Sequence, residues 1–290
     1  MLPSMTIPME VWPKIAIVGA GNLGSALAVS LRAAGYRVSE VVSRSGSSSR
    51  QRARALARRV GARPAVTGDP DITARVVWLC VPDGEIAACV KSIAATSWEG
   101  KIALHSSGAL SSDELAPLRK QGARVASVHP MMTFVPGVTP LLKGVGFAVE
   151  GDREAVRMAR RIVARLGGES FPIAKRDKAL YHAWGTFSSP LLTALLAMSE
   201  QVAEAAGIPR ESARRWAVPI VRQTVENYAR QGAARGFSGP IVRGDAATVR
   251  KHLQVLRAVP GAREVYLALA RSALRTLPAG NRQQLKKMLG

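Results

Sequence analysis

Three groups of residues in this chain could do chemistry, and their spacing suggests which chemistry. Gly19, Gly21 and Gly24 are spaced G-x-G-x-x-G. Such glycines let a backbone turn tightly and approach a pyrophosphate, with a helix N-terminus facing the phosphate charge. Lys178 and His182 stand four apart, so on a helix they project from one face. His105-Ser106-Ser107 and His129-Pro130 each follow a short apolar run. Lysine, histidine and tyrosine can all move a proton once their surroundings tune the pKa, and Lys175 and Tyr181 stand close by. A nucleotide turn combined with such side chains predicts hydride transfer to or from a carbonyl or imine. Lys178, His182, Ser107, His129 and His105 are the candidates to line the reaction site. The bland alternative for Lys178 and His182 is a surface lysine and a packed histidine.

The hydrophobic pattern supplies the elements that must hold these residues. The run Ile15–Val18 has strand length, and apolar residues at helical spacing follow the glycines, so strand, turn and helix come in the order a dinucleotide site requires. Asn22 and Leu23 belong to that turn. A second strand, 36–42, closes in Ser43-Arg44-Ser45. NAD-selective folds place Asp or Glu at this strand end, for the ribose 2′-hydroxyl. Glu40 lies too early, whereas an arginine suits a 2′-phosphate as a fork of donors, so NADP(H) is the expected cofactor. An exposed basic turn is the bland alternative. The continuous apolar run 75–81 reads as a central parallel strand. Val81 and Pro82 at its end should lie over the cofactor, and Asp83 behind them reads as a helix cap. Further strands are expected at 101–104, 124–128, 146–150 and 170–173. The polar clusters at His105 and His129 then fall at carboxyl ends of strands, where open α/β sheets bind ligands.

Beyond residue 174 strand patterns stop and alanine- and leucine-rich helical patterns run onward, with Pro219 expected to kink one helix. The prediction is an α/β, doubly wound, mostly parallel sheet over residues 1–174, then an all-α domain over 175–290, with the reaction site between them. At 290 residues core size is no constraint. No apolar run reaches the roughly 18 residues that span a bilayer. The first 13 residues do not read as a signal peptide, and Met5 or Met9 is a possible later start. Cys80 and Cys89 suggest neither a disulfide framework nor a metal site, so a reduced, cytoplasmic setting is expected. The formal charge of +21 is unusual. Its densest run, residues 50–59, reads as a solvated helix face. With no nucleic-acid motif and no aromatic platform for bases, nucleic acid is not expected as the main partner.

The strings GAGNLGSAL, LCVPDGEI, LHSSGALSSDELAPLR, SVHPMMTF, KALYHAWGTFSSP and GPIVRGDAATVRKHL together resemble the bacterial Rossmann-like and DUF2520 domain-containing proteins, over most of the chain. That family is similar to pyrroline-5-carboxylate reductases and the wider 6-phosphogluconate dehydrogenase-like group. In that group a lysine, with asparagine four residues on, is the proton donor; Lys178 matches the lysine, and His182 stands in place of the asparagine. Ser43-Arg44-Ser45 resembles the Asn-Arg-Thr of NADP-selective members. Locally, Ser107 and His129-Pro130 also resemble prephenate dehydrogenases, which makes such an enzyme an alternative. Arg243, in a glycine-flanked loop, and Ser106 are candidates to bind a small, polar, anionic substrate. A homodimer is implied by analogy of fold. The alternative of another class is a sensor that binds NADPH without turnover.

Overall fold

The computed structural model describes residues 12–68, 72–94 and 97–290. Met5 and Met9, considered as alternative starts, lie outside them, as does Ala95, the expected end of one helix. Contacts group the chain into two units that divide between Ser189 and Pro190. The helix carrying Lys178 and His182 therefore belongs with the sheet. The reason is local: Lys178 and Tyr181 of this helix both hydrogen-bond to groups on the strand ends.

The first unit is an eight-stranded sheet in the order β3-β2-β1-β4-β5-β6-β7-β8. In chain order its elements are β1 Ile15–Val18, α1 Asn22–Ala33, β2 Val38–Ser43, α2 Ser47–Val60, β3 Arg63–Val66, β4 Val76–Leu79 and α3 Ile86–Ile93. Then come β5 Ile102–His105, α4 Ala116–Lys120, β6 Arg124–Pro130, β7 Gly146–Gly151, α5 Arg153–Arg165, β8 Glu169–Pro172 and α6 Lys178–Ser188. All pairings are parallel except β6 with β7. The central strands are apolar because both faces are covered. Leu27, Leu31, Leu56, Val60, Ile162 and Val163 of α1, α2 and α5 bury one face. Ile86, Val90, Ile93 and Leu118 of α3 and α4 bury the other. Crossovers change direction between β1 and β4, which opens a crevice at the carboxyl ends of those strands.

The turn after β1 depends on glycine at two places. Gly19 has φ +103°, and a Cβ there would meet the Cys80 carbonyl oxygen at 2.6 Å. A Cβ on Gly24 would run into the Gly19 carbonyl oxygen, so α1 packs against the turn with no room for a methyl group.

The second unit is helical: α7 Pro190–Ala205, α8 Arg210–Gly236, α9 Pro240–Arg243, α10 Ala246–Val255, α11 Ala262–Thr276 and α12 Arg282–Leu289. Val249, Leu253, Leu274, Leu285 and Leu289 form its main core. The break in α8 falls at Gly232, with φ 75°, and the expected kink at Pro219 gives way to it. Asp245 caps α10 as its sequence position suggests, accepting from the Thr248 amide. No helix among the described residues is long and apolar enough to cross a membrane.

Gly24→Ala should destabilise the protein by about 2 kcal/mol, because the obstructing atom is backbone and cannot move aside. Gly21→Ala should be close to neutral, since a Cβ there meets nothing within 4 Å. Urea denaturation of the two variants would check the contrast.

Candidate functional site

The glycine turn, the end of β2 and the segment after β4 enclose a cavity of about 450 Å³. Gly19, Gly21, Ser43, Arg44, Val81 and Pro82 are among its walls, so much of the predicted cofactor set is brought together. Arg44 reaches across to Glu85 Oε2 at 3.3 Å and to Ser49 Oγ at 3.4 Å. The Ser43 hydroxyl is buried and makes no hydrogen bond among the described residues. Asn22 sits at the start of α1 and donates to the Phe134 carbonyl, while Leu23 packs on the core. Ser45 is exposed. Glu40 is not available to this cavity: its carboxylate accepts from the Thr73 amide, the Thr73 hydroxyl and the Ser39 hydroxyl.

Further along the sheet, the segment after β5 and strand β6 meet α6. Lys178 is wholly buried there. Its Nζ donates to the Ser127 hydroxyl at 2.8 Å and the Ser107 carbonyl at 3.1 Å. Among the described residues no carboxylate lies within ion-pair distance of it. Burial pulls its pKa below the ordinary lysine value, and the negative charges of Glu150 and Asp83 oppose that pull.

The cluster after β5 is largely committed to its own loop. His105 is fully buried, its Nδ1 accepting from the Ser107 amide and its Nε2 lying 3.0 Å from the Ser111 carbonyl. With one nitrogen accepting, the other must carry the proton, so the ring is neutral; burial pushes its pKa down to about 4. Ser107 donates its hydroxyl to Asp83 Oδ2 at 2.8 Å and accepts from the Leu110 amide. Asp83 therefore clamps a neighbouring loop, and makes no side-chain cap as its position had suggested. Ser106 is buried and accepts from Trp78 Nε1 at 2.8 Å.

His129 is different. It lies within β6, where a loop was expected, and pairs with Ala148 of β7. Its Nδ1 is 2.7 Å from the Tyr181 hydroxyl. Burial first, then the neighbouring His182, Lys178 and His105, push its pKa down to about 4. Tyr181 is itself buried, which raises its pKa to about 12. The free nitrogen, Nε2, borders Gly108: a Cβ on that residue would stand 2.9 Å from Nε2 and 2.5 Å from His182 Cδ2. The rings of His129 and His182 meet edge-on, with centroids 5.8 Å apart, and His182 is exposed. Gly108 and Tyr181 are buried and His129 is half-buried, so His182 is the member of this cluster that faces solvent.

Four contributors were not among the residues expected to line the site. Ser127, Asp83 and Glu150 are tied in by long-range hydrogen bonds; Glu150 is buried and accepts from the amide and hydroxyl of Ser112. Gly108 could have been found from the H-S-S-G string, as a glycine directly after three polar residues at a strand end. Lys175 is held by Asp113, away from these groups. Arg243 is exposed in α9 of the second unit.

Residues 9–130 match the Rossmann-like domain family, and residues 145–273 match the domain of unknown function DUF2520. The chain belongs to the Rossmann-like and DUF2520 domain-containing proteins. No curated protein matches it. Several solved structures share its fold. A Bacteroides fragilis protein assigned as an NADP oxidoreductase superposes with TM-score 0.72 at 22% identity, covering 90% of this chain and 97% of its own. A reductive aminase from Aspergillus terreus, in complex with NADPH and ethyl-5-oxohexanoate, gives 0.65 at 16% identity, with coverage of 95% and 99%. A 1-pyrroline-5-carboxylate reductase from Streptococcus pyogenes gives 0.61 at 16% identity, with coverage of 90% and 98%.

The two neutral histidines set a pH dependence. An unfolded chain protonates His105 near the ordinary pKa of about 6.5, whereas the native chain resists until about 4. Stability should therefore fall as pH drops from about 6.5 towards 4, by on the order of 3 kcal/mol for His105 alone, with His129 acting in the same direction. His105→Asn should be less stable at pH 7 yet show a flatter decline, read from urea midpoints at pH 7, 5.5 and 4.5.

Proposed function

We propose that this protein is an NADP(H)-dependent oxidoreductase that interconverts a carbonyl or imine with the corresponding alcohol or amine of a small polar substrate. The observation that carries this reading is His129: an imidazole kept neutral by burial and oriented by Tyr181, its Nε2 against the backbone of Gly108 and near the exposed His182, on a strand of the same sheet as the glycine-turn cavity. The shared fold of the NADPH-complexed reductive aminase supports it.

The cavity suits a dinucleotide. Gly19 and Gly24 leave no room for side chains in the cradle, whereas Gly21 faces open space for a pyrophosphate. The unpartnered Ser43 hydroxyl and the Arg44 guanidinium suit a ribose 2′-phosphate, and Glu40 is too fully engaged to hold a 2′-hydroxyl. NADP(H) bound there would supply or take up the hydride.

His129 exchanges the proton. In the oxidative direction its neutral Nε2 accepts the proton of the substrate hydroxyl or amine, and in the reductive direction the imidazolium returns it. Tyr181 fixes the ring through Nδ1, and His182 flanks the substrate. Lys178 is a positioning residue, since its buried Nζ is occupied by Ser107 and Ser127. His105 and Ser107 shape the loop that ends at Gly108, with Ser106 beneath it. Arg243 remains the candidate for an anionic substrate group, and the protein works in the cytoplasm as a homodimer.

Arg44→Ala should weaken NADPH binding at least tenfold more than NADH binding, measured by fluorescence titration; equal losses would remove the assignment of the 2′-phosphate site. His129→Ala should lower turnover by about 10²-fold or more with NADPH affinity retained. Lys178→Met should keep the wild-type pH profile at reduced kcat. In the oxidative direction kcat/KM should be level from pH 5 to 8 and fall only as His129 is protonated towards pH 4. Tight NADPH binding with no turnover across a carbonyl and imine panel would instead favour a sensor.

A further inference from the structure

The charge of +21 is concentrated where the fold gives it a direction. Helices α2 and α5 cover the same face of the sheet, as their buried residues share one core. On the outer side of α2, Arg50, Arg54 and Arg58 stand at i, i+4 and i+8, all exposed. On the outer side of α5, Arg153, Arg157 and Arg161 repeat that spacing, also exposed. Among the described residues none of the six forms an ion pair; the only acid on α5, Glu154, is turned to Arg75 and Arg124. Like charges four apart on a helix repel and destabilise it. Two such rows on one face form a surface whose counter-charge must come from outside the protein.

We infer that this face docks on the phosphate backbone of duplex DNA, without reading sequence. Each row places a guanidinium about every 6 Å along its axis. The helices lie about five strand spacings apart, on the order of 20 Å, over β2–β3 and β6–β7. A duplex carries one charge per about 1.7 Å of axis, a density that a row of guanidiniums about 6 Å apart can meet. Arginine forks match phosphate oxygens. An anionic membrane fits less well, because neither helix exposes a large apolar side chain that would enter a bilayer. The absence of aromatic residues from both helices leaves nothing to stack on bases, so binding follows charge and not sequence. Helix α2 borders the glycine-turn cavity through Ser49 and Arg52, whereas the α5 row lines no part of it, so the α5 row is the one that tests this inference apart from the oxidoreductase reading.

The test is a titration of the full chain against a 20-base-pair mixed-sequence DNA duplex at several salt concentrations. With six phosphate contacts the slope of log K against log salt should be about −5. Arg153, Arg157 and Arg161 replaced together by Gln should reduce that slope by about 3 and weaken binding at least tenfold at 100 mM salt. The same three replaced by Lys should retain most of it. Arg222, Arg250 and Arg257→Gln, an equal change in net charge on the second unit, should leave the slope unchanged. Equal losses in both Gln triples, or a flat titration, would overturn the inference. So would polyglutamate competing as well as duplex at equal charge, which would point to an acidic protein instead.

Discussion

The site depends on one buried ammonium. Lys178 begins α6, and its Nζ reaches under the sheet edge to a carbonyl of the loop after β5 and a hydroxyl of β6. A buried cation without a contacting carboxylate is costly, and the cost is offset only by hydrogen bonds and by negative charges further away. Here those charges are Glu150 and Asp83, each fixed by a serine of the neighbouring loops. The first turn of α6 is thereby pinned to the loop after β5 and to β6. Tyr181 then falls beside His129, and His182 beside Gly108.

That network separates two kinds of polar residue that look alike in a sequence. His105, Ser106 and Ser107 make their hydrogen bonds inward, to a loop carbonyl, an indole and a carboxylate. His129 uses Nδ1 inward, to Tyr181, and its Nε2 makes no hydrogen bond among the described residues.

The sheet and the glycine turn were legible because periodicity and glycine spacing are local properties. The mostly parallel, doubly wound sheet followed from them, and so did the gathering of polar clusters at strand ends. What was not legible depends on contacts across the fold. Glu150 meets Ser112 across 38 residues, and Ser127 meets Lys178 across 51; nothing local marks either pair. Asp83 stood in a sequence position that suits a cap, yet its carboxylate turns to Ser107. A domain border was expected at residue 174, before Lys178, because composition changes there, whereas the contacts divide the units between Ser189 and Pro190. Composition does not register that a single lysine side chain keeps the next helix with the sheet.

The antiparallel pairing of β6 with β7 has a consequence for how the site can move. His129 and Pro130 are rungs of that ladder, opposite Ala148 and Phe147. A residue on a loop can swing to meet a ligand, whereas one on a paired strand is fixed to the frame. The backbone of His129 is therefore fixed to the frame and its ring is fixed by Tyr181, so under the proposed chemistry the exposed His182, which is not on that ladder, is the part of the cluster that can adjust.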